Sequence, residues 1–159
     1  MKGLDFMKDE VFGELNFDYG WNGTVDIDCF GSPEAVDIVV SGEEDDDISD
    51  YQRESFSEFM DVWESIQDDV LEQIFAYYNE LTEELGFEDG SNPDYPILDD
   101  ASQLLEMIHL DVITVPAEGV YDGRSVGLAF SCTWDEENGM GIIFVDEEVS
   151  EIAYQDIVF

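Results

Sequence analysis

The first quarter of the chain carries the alternation of apolar and polar residues that is typical of strands with one buried face. Val11–Phe17 alternates in part, Trp21–Phe30 alternates more regularly, and Ala35–Val40 is a third apolar run. The connections at 18–20 and 31–33 are short and contain glycine or proline. The pattern therefore predicts three strands joined by tight turns, as in an antiparallel meander.

Apolar residues then recur every three or four positions from Tyr51 to Leu85, which is the period of an amphipathic helix. They are Phe56, Phe59, Met60, Trp63, Ile66, Val70, Ile74, Tyr77, Leu81 and Leu85. Ser49 or Asp50 is a suitable N-cap, and Gly86 predicts the end of the helix. Such a helix would be about 50 Å long, so we also expect a kink or break near Asn79.

The last third returns to strands after a loop at 90–96 and a short helix that Asp99 or Asp100 caps and that ends near Met107. The predicted strands are His109–Val115, Ser125–Trp134, Gly141–Val145 and Val149–Tyr154. Glu136–Gly139 and residues 146–148 predict tight turns. We therefore expect one α+β domain over 1–159, with an antiparallel sheet or sheets from the N- and C-terminal strands packed against a long central helix and a short second helix.

Charge is the feature that changes this ordinary picture. The chain of 159 residues has 42 aspartates and glutamates against four lysines and arginines, a formal net charge of −38. Hydrophobic residues still make up 44% and aromatic residues 13%, enough for a core, so the acidity does not indicate a disordered tail. Such a chain repels nucleic acids and anionic membranes, which leaves cations and basic proteins as partners.

Acidic residues on the predicted helix follow its period and form one stripe opposite the apolar positions. They are Asp50, Glu54, Glu58, Asp61, Glu64, Asp68 and Glu72. A second acidic group, in the loop before the helix, is Glu43, Glu44, Asp45, Asp46 and Asp47. Ordinary solvent-facing helices mix both signs of charge, so a stripe of one sign indicates a cationic partner or selection for high acidity. We expect these residues to form the face that binds a partner.

Three interpretations of the acidity remain open at this point. The chain binds a basic protein, mimics a nucleic acid as a special case of such binding, or is adapted to high salt without a partner. Duplex DNA carries one charge per about 1.7 Å, so the stripe is roughly threefold too sparse for strict mimicry. The acidic loop and other faces would have to add to it.

Residues that could support catalysis are few. His109 is the one histidine, and no serine or cysteine motif accompanies it. Two cysteines and one histidine do not form a spaced zinc site, and Asp45–Asp47 lacks the alternating ligands and glycine of an EF-hand. We therefore expect no enzyme activity, no cofactor and no metal, with a carboxylate-based metal-dependent protein as the alternative.

The two cysteines, Cys29 and Cys132, lie in apolar strand-like stretches and predict buried free thiols, which fits the cytoplasm. Residues 1–10 contain no apolar run of signal-peptide length, and no stretch approaches the roughly 20 apolar residues of a membrane span. We expect a cytoplasmic protein.

The C-terminal third carries the most distinctive strings. Cys132–Gly141 reads C-x-W-D-E-E-x-G-x-G, and Glu151–Asp156 reads E-I-A-Y-Q-D. The chain resembles an uncharacterised bacterial domain family with these signatures. The F-G-x-L-x-x-D string at Phe12–Asp18, the following Trp21 and the helix residues Gln52, Phe56, Tyr77 and Tyr78 are similar to that family too, so the resemblance covers most of the chain. Ala153 stands where the family pattern has glycine. The hairpin residues that carry the resemblance are Trp134, Asp135, Glu136, Glu137, Gly139 and Gly141.

The resemblance implies a domain of unknown function, some of whose relatives are suspected immunity proteins of toxin systems, and it supplies no catalytic residues. Trp134 is expected to pack, Gly139 and Gly141 to form the turn, and the acidic residues between them to bind backbone donors or face a partner. Together with the charge, this predicts an acidic immunity-type protein that neutralises a basic toxin, such as a nuclease.

Overall fold

The structure, a computed structural model, describes residues 6–45 and 47–159. Within them, eight strands form one sheet in which the strands lie side by side in chain order. They are β1 (Phe6–Asp9), β2 (Gly13–Phe17), β3 (Trp21–Cys29), β4 (Ser32–Val40), β5 (Ile108–Val115), β6 (Ser125–Cys132), β7 (Met140–Val145) and β8 (Glu148–Ala153). One long helix, α1 (Asp50–Leu85), and 3₁₀ helices at Ala101–Glu106 and Gln155–Val158 complete the described elements. The α+β fold is confirmed.

The pairing of β4 with β5 is parallel, whereas the other neighbouring strands described are antiparallel. Asp37 lies opposite Val112, and Val40 lies opposite Val115. A parallel neighbour requires a long crossover connection, and α1 with the first 3₁₀ helix is that connection. The sheet is therefore mostly antiparallel, as expected, with one parallel pair that the sequence did not indicate.

α1 begins and ends at the residues that its sequence indicates. The Ser49 side chain accepts a hydrogen bond from the backbone of Gln52, whose side chain accepts one from the Ser49 backbone, which makes a capping box. Gly86 ends the helix in the left-handed conformation, at φ +79°. The helix is continuous over 36 residues, so it has no break near Asn79.

The apolar side of α1 packs on one face of the sheet. Phe59 and Trp63 are almost fully buried and contact Phe144 of β7 with ring centroids 5.0 Å and 6.3 Å away. Leu85 was expected in the core but is 47% exposed, because it lies at the last turn. The remaining apolar positions predicted for the helix are buried or half-buried: Phe56, Met60, Ile66, Val70, Ile74, Tyr77 and Leu81.

Polar residues of α1 are also buried, and they tie the helix to the sheet. The Gln67 side chain donates a hydrogen bond to the Asp28 carbonyl, at 2.9 Å, and accepts one from the Phe30 backbone N–H. The indole N–H of Trp63 donates to the same Asp28 carbonyl, at 2.7 Å. These bonds fix the β3–β4 turn against the helix. The buried glutamine was not predicted, because the apolar period of the helix carries no signal for a buried polar side chain.

The β3–β4 connection is a two-residue turn at Phe30 and Gly31, both with positive φ, at +53° and +92°. Primed turns of this kind match the twist of the flanking strands. Pro33, expected to break the strand pattern, instead lies opposite Asp28 inside the β3–β4 pairing. β1 was not expected, and its four residues show no clear alternation.

The other face of the sheet is covered in part by the C-terminal 3₁₀ helix. Val158 packs there with Ala129 of β6 and Ile143 of β7. No helix in the described part of the chain is long and apolar enough to cross a membrane.

Candidate functional site

Carboxylates line the solvent side of α1. The residues predicted to form the stripe are all exposed, and we call them the acidic face: Asp50, Glu54, Glu58, Asp61, Glu64, Asp68 and Glu72. From Asp50 to Glu72 the face extends over about 33 Å, at 1.5 Å per residue. The burial of the opposite, apolar side of α1 fixes this orientation, so the carboxylates cannot turn away from solvent.

The acidic face is unfavourable for the helix that carries it. Like charges three or four residues apart cost roughly 0.2–0.5 kcal/mol for each pair, and Glu54, Glu58 and Asp61 follow one another at these spacings. The last turn of α1 contains no basic residue to offset its negative end. The charge pattern is therefore not explained by helix stability.

The arginine of α1 is directed away from most of this face. Arg53 donates hydrogen bonds to Oδ1 of Asp9 from Nε, at 3.0 Å, and from Nη2, at 2.8 Å. Its Nη1 donates to Asp50, at 2.9 Å. Burial disfavours ionisation of Asp9, but hydrogen bonds from Arg53 and from the Val11 and Phe12 backbones outweigh it and lower the pKa of Asp9. Arg53 thus compensates Asp50 and leaves the rest of the acidic face to solvent.

Arg124, directly before β6, is also held by carboxylates outside the acidic face. It donates to both carboxylate oxygens of Glu147, from Nε at 2.8 Å and from Nη2 at 2.9 Å. Its backbone N–H donates to Asp146, at 3.0 Å. Arg124 is close enough to Glu54 to interact with its charge, but the two form no ion pair. Most of the acidic face therefore has no cationic partner among the described residues.

The loop before α1 extends the acidic face beyond the helix N-terminus. Glu43, Asp45 and Asp47 are exposed, whereas Glu44 is half-buried. Asp46 lies outside the described residues. The loop ends at Ile48, which is buried at 4% exposure and anchors the chain before the Ser49 cap.

The hairpin between β6 and β7 is held together by its own signature residues. Trp134 is buried at 4% exposure, and its ring meets that of Tyr78 edge to face at 5.0 Å. Oδ1 of Asp135 accepts from the Asn138 N–H, at 3.1 Å, and the Asp135 carbonyl accepts from the Gly139 N–H, at 2.9 Å. Glu136 and Glu137 are exposed. Trp134 and Asp135 therefore support the fold of the hairpin.

The glycines of the hairpin are required by close backbone approach. A Cβ on Gly139 would lie 2.6 Å from the Phe130 carbonyl oxygen, and φ there is +61°. A Cβ on Gly141 would lie 2.8 Å from the Tyr154 carbonyl oxygen. The Gln155 N–H also donates to the Asn138 carbonyl, at 3.0 Å. The two distinctive strings of the sequence thus form one contiguous structural unit.

His109 is 62% exposed and lies beside two carboxylates. Its Nδ1 is 2.8 Å from Oδ1 of Asp111, and its Nε2 is 3.7 Å from Oε1 of Glu34. A cavity of about 170 Å³ adjoins it, lined in part by Cys29 and Phe130. The imidazole is oriented, but no activated nucleophile stands beside it among the described residues.

Both thiols are poor nucleophiles in this structure. Burial raises the pKa of Cys29 to about 12 and that of Cys132 to about 11. The thiolate is the form that attacks a substrate, so a thiol that stays protonated at neutral pH reacts slowly. Across residues 6–45 and 47–159, no three histidine, cysteine, aspartate or glutamate side chains converge in a way that could hold a metal ion.

The segment after α1 was predicted to be an ordinary loop, but in the structure it forms a groove with the end of the helix. This C-terminal groove has a volume of about 310 Å³ and is lined by Tyr78, Asn79, Thr82, Glu83, Phe87, Glu88, Tyr95, Pro96 and Ile97. The signal in the sequence was the presence of aromatic and apolar residues within an otherwise acidic, turn-rich segment. Ile97 is 63% exposed and lines this groove.

Comparison with known proteins gives one match. A family model described as a domain of unknown function, DUF6985, matches residues 11–159. No curated protein and no solved structure matches the chain.

Proposed function

Because the chain belongs to the DUF6985 family, whose function is unknown, we propose a function from its own surface: it binds a basic protein through the acidic face. The observation that carries the proposal is a row of exposed carboxylates on one helix. Of this row, the neighbouring arginines pair only with Asp50, through Arg53, and their other partners are Asp9, Asp146 and Glu147. A basic partner would remove the repulsion along α1 as it binds. The acidic loop before Ser49 lengthens the same surface.

The biological form that we propose is a bacterial, cytoplasmic immunity protein that neutralises a basic toxin such as a nuclease. Such a partner needs an inhibitor that binds quickly, and a surface of a single charge sign raises the association rate by electrostatic steering. Inhibition through this surface requires no catalytic group. It is therefore compatible with an oriented but isolated His109 and with thiols that stay protonated.

The test is a pull-down with the purified product of the neighbouring gene, at about 0.1 M and about 1 M salt. We expect capture at the lower salt and a marked loss at the higher salt, because screening weakens attraction between exposed charges. Co-expression should also protect cells from that product if it is toxic. A neighbouring protein that is not basic, or capture that does not change with salt, would contradict the proposal.

A further inference from the structure

The C-terminal groove lies on the same side of α1 as the acidic face, further along the helix and beyond the uncharged Phe75 and Ala76. Asn79 and Glu83 line the groove, and both lie on the same side of α1 as Asp50 and Glu72, since the helix repeats every 3.6 residues. A partner that lies along the acidic face therefore reaches the groove at the C-terminal end of the helix. The groove differs from the rest of that face because aromatic and apolar side chains form part of its floor, beside the polar Asn79, Thr82, Glu83 and Glu88.

A row of aromatic rings that begins at the β6–β7 hairpin supports this floor. The Trp134 ring packs on Tyr78, Tyr78 stacks on Tyr95 at 6.5 Å, and Tyr95 meets Phe87 at 5.1 Å. The Tyr78 hydroxyl donates to the Pro96 carbonyl, at 2.6 Å, which fixes the loop over the helix. The groove is thus a packed part of the fold, and the conspicuous hairpin tryptophan supports its base.

The charge around the groove is negative on each side that the structure describes. Glu83 and Glu88 are exposed and line it, and Glu80 and Glu84 are exposed on the adjoining turns of α1. The negative end of the helix dipole lies at the same place, where chains commonly place lysine or arginine. The ion pairs found among the described residues involve Arg53, Arg124 and His109, none of which lines the groove.

We propose that the C-terminal groove binds one apolar side chain of a basic protein, flanked in that protein by lysine or arginine. This inference rests on the proposed function and names the anchor within it. The apolar side chain enters between Tyr95 and Ile97, while its cationic neighbours bind Glu83, Glu88 and the end of α1. A volume of about 310 Å³ is at the small end of ligand pockets and suits a single side chain. A second copy of this chain, at a net charge of −38, is a poor occupant.

The experiment measures the binding of three short peptides by fluorescence anisotropy at about 0.1 M salt. The first has a central leucine flanked on both sides by arginines. The second has serine in place of the leucine, and the third has glutamines in place of the arginines. We expect the first to bind about tenfold more tightly than the second, since burial of one leucine side chain is worth about that factor. The third should not bind measurably.

Two matched variants test whether the leucine of the peptide binds in the C-terminal groove. Ile97→Ser should reduce the affinity for the leucine peptide to that of the serine peptide and leave the serine peptide unaffected. Val120→Ser is the control, because Val120 is 62% exposed, close to the 63% of Ile97, and is outside the groove. It should leave all affinities unchanged. Circular dichroism confirms that both variants fold.

The possible failures are distinguishable. If both arginine peptides bind equally and Ile97→Ser has no effect, the groove inference is wrong while binding of basic partners stands. If the glutamine peptide binds as well as the arginine peptide, the groove is an apolar site without charge selection, and the inference is also wrong. If no arginine peptide binds, the proposed function itself fails.

Discussion

Arg53 on the first turn of α1 and Asp9 at the end of β1 form a salt bridge in which the guanidinium donates from two nitrogens to one carboxylate oxygen. The Asp9 side chain is 2% exposed, whereas that of Arg53 is 26% exposed. The other oxygen of Asp9 accepts from the Val11 and Phe12 backbones. Although the chain has only four lysines and arginines, one of them thus joins β1 to α1.

We predict that Asp9→Asn lowers the free energy of unfolding by about 2–3 kcal/mol at neutral pH, because it leaves Arg53 without its buried partner and weakens the acceptor for two backbone donors. Urea unfolding monitored by tryptophan fluorescence measures the change. Asp26→Asn is the control, because Asp26 is exposed and its replacement removes the same charge. A loss equal in both variants would show that the bridge contributes nothing specific.

The difference between wild type and Asp9→Asn should also depend on pH. The pKa of Asp9 is lower in the folded protein than its ordinary value of 3.8, so its stabilisation is present above that value and is lost as pH falls through the folded pKa. Comparing the two proteins cancels the repulsion among the other carboxylates, which falls with pH in both. We expect the stability gap to be constant at neutral pH and to narrow progressively as pH falls below about 4. A gap that does not narrow between about pH 4 and about pH 2 would contradict this assignment.

The hairpin should tolerate no side chain at Gly139. We predict that Gly139→Ala costs about 3 kcal/mol or more, because the new Cβ would press on the Phe130 carbonyl oxygen in addition to adopting positive φ. Gly13→Ala is the matched control. Gly13 also has positive φ, at +77°, but a Cβ there meets nothing within 4 Å, so about 1 kcal/mol is expected. Equal losses in thermal or urea unfolding would remove the steric argument.

Periodicity predicted α1, its caps and most of its buried face, because a 3.6-residue period sustained over so many turns is specific to a helix. It did not predict that β4 and β5 are parallel, since alternation along a strand carries no information about the direction of its neighbour. The burial of Gln67 was also out of reach, because its partners are backbone groups of a turn more than thirty residues earlier in the chain.

The acidic face followed from the sequence because charge and helix period are both local properties. The C-terminal groove did not, since it depends on where Tyr95 and Ile97 fold back onto Tyr78 and Thr82. The sequence showed that the two signature strings are distinctive. It did not show that the Gln155 N–H of one string donates to the Asn138 carbonyl of the other, because that contact depends on how the strands pair.

If the acidic face serves binding and not the stability of α1, substitutions that reduce its negative charge should stabilise the protein. We predict that Asp61→Lys raises the free energy of unfolding by about 0.5–1 kcal/mol at low salt, because it replaces repulsion from Glu58 and Glu64 by attraction. Asp61→Asn should give about half of that gain. Both gains should shrink at about 1 M salt. A loss of stability in Asp61→Lys at low salt would mean that the charge has a structural role.

The two thiols offer a test of the core. Because burial raises the pKa of Cys29 to about 12 and that of Cys132 to about 11, both should stay protonated at about pH 8. We predict that alkylation with iodoacetamide is about a hundredfold slower in the native protein than in the urea-unfolded protein. Mass spectrometry counts the modified sites. Fast labelling of Cys132 in the native protein would show that the β6–β7 hairpin opens.

If the acidic face is the binding surface, the location of the charge on α1 should matter more for association than its total amount. Two triple variants remove the same charge from different places. One carries Glu58→Gln, Asp61→Asn and Glu64→Gln on the acidic face. The other carries Glu14→Gln, Asp26→Asn and Asp37→Asn, whose exposed side chains alternate with the buried Leu15, Ile27 and Ile38 and so lie on the sheet face away from α1.

The decisive measurement is the association rate constant of each triple variant with the purified basic product of the neighbouring gene, at about 0.1 M salt. We predict that the acidic-face variant associates about tenfold more slowly than wild type and that the sheet-face variant stays within about twofold, because steering depends on charge at the docking surface. Equal effects of the two variants would contradict binding through the acidic face and show that the total charge of the chain governs association.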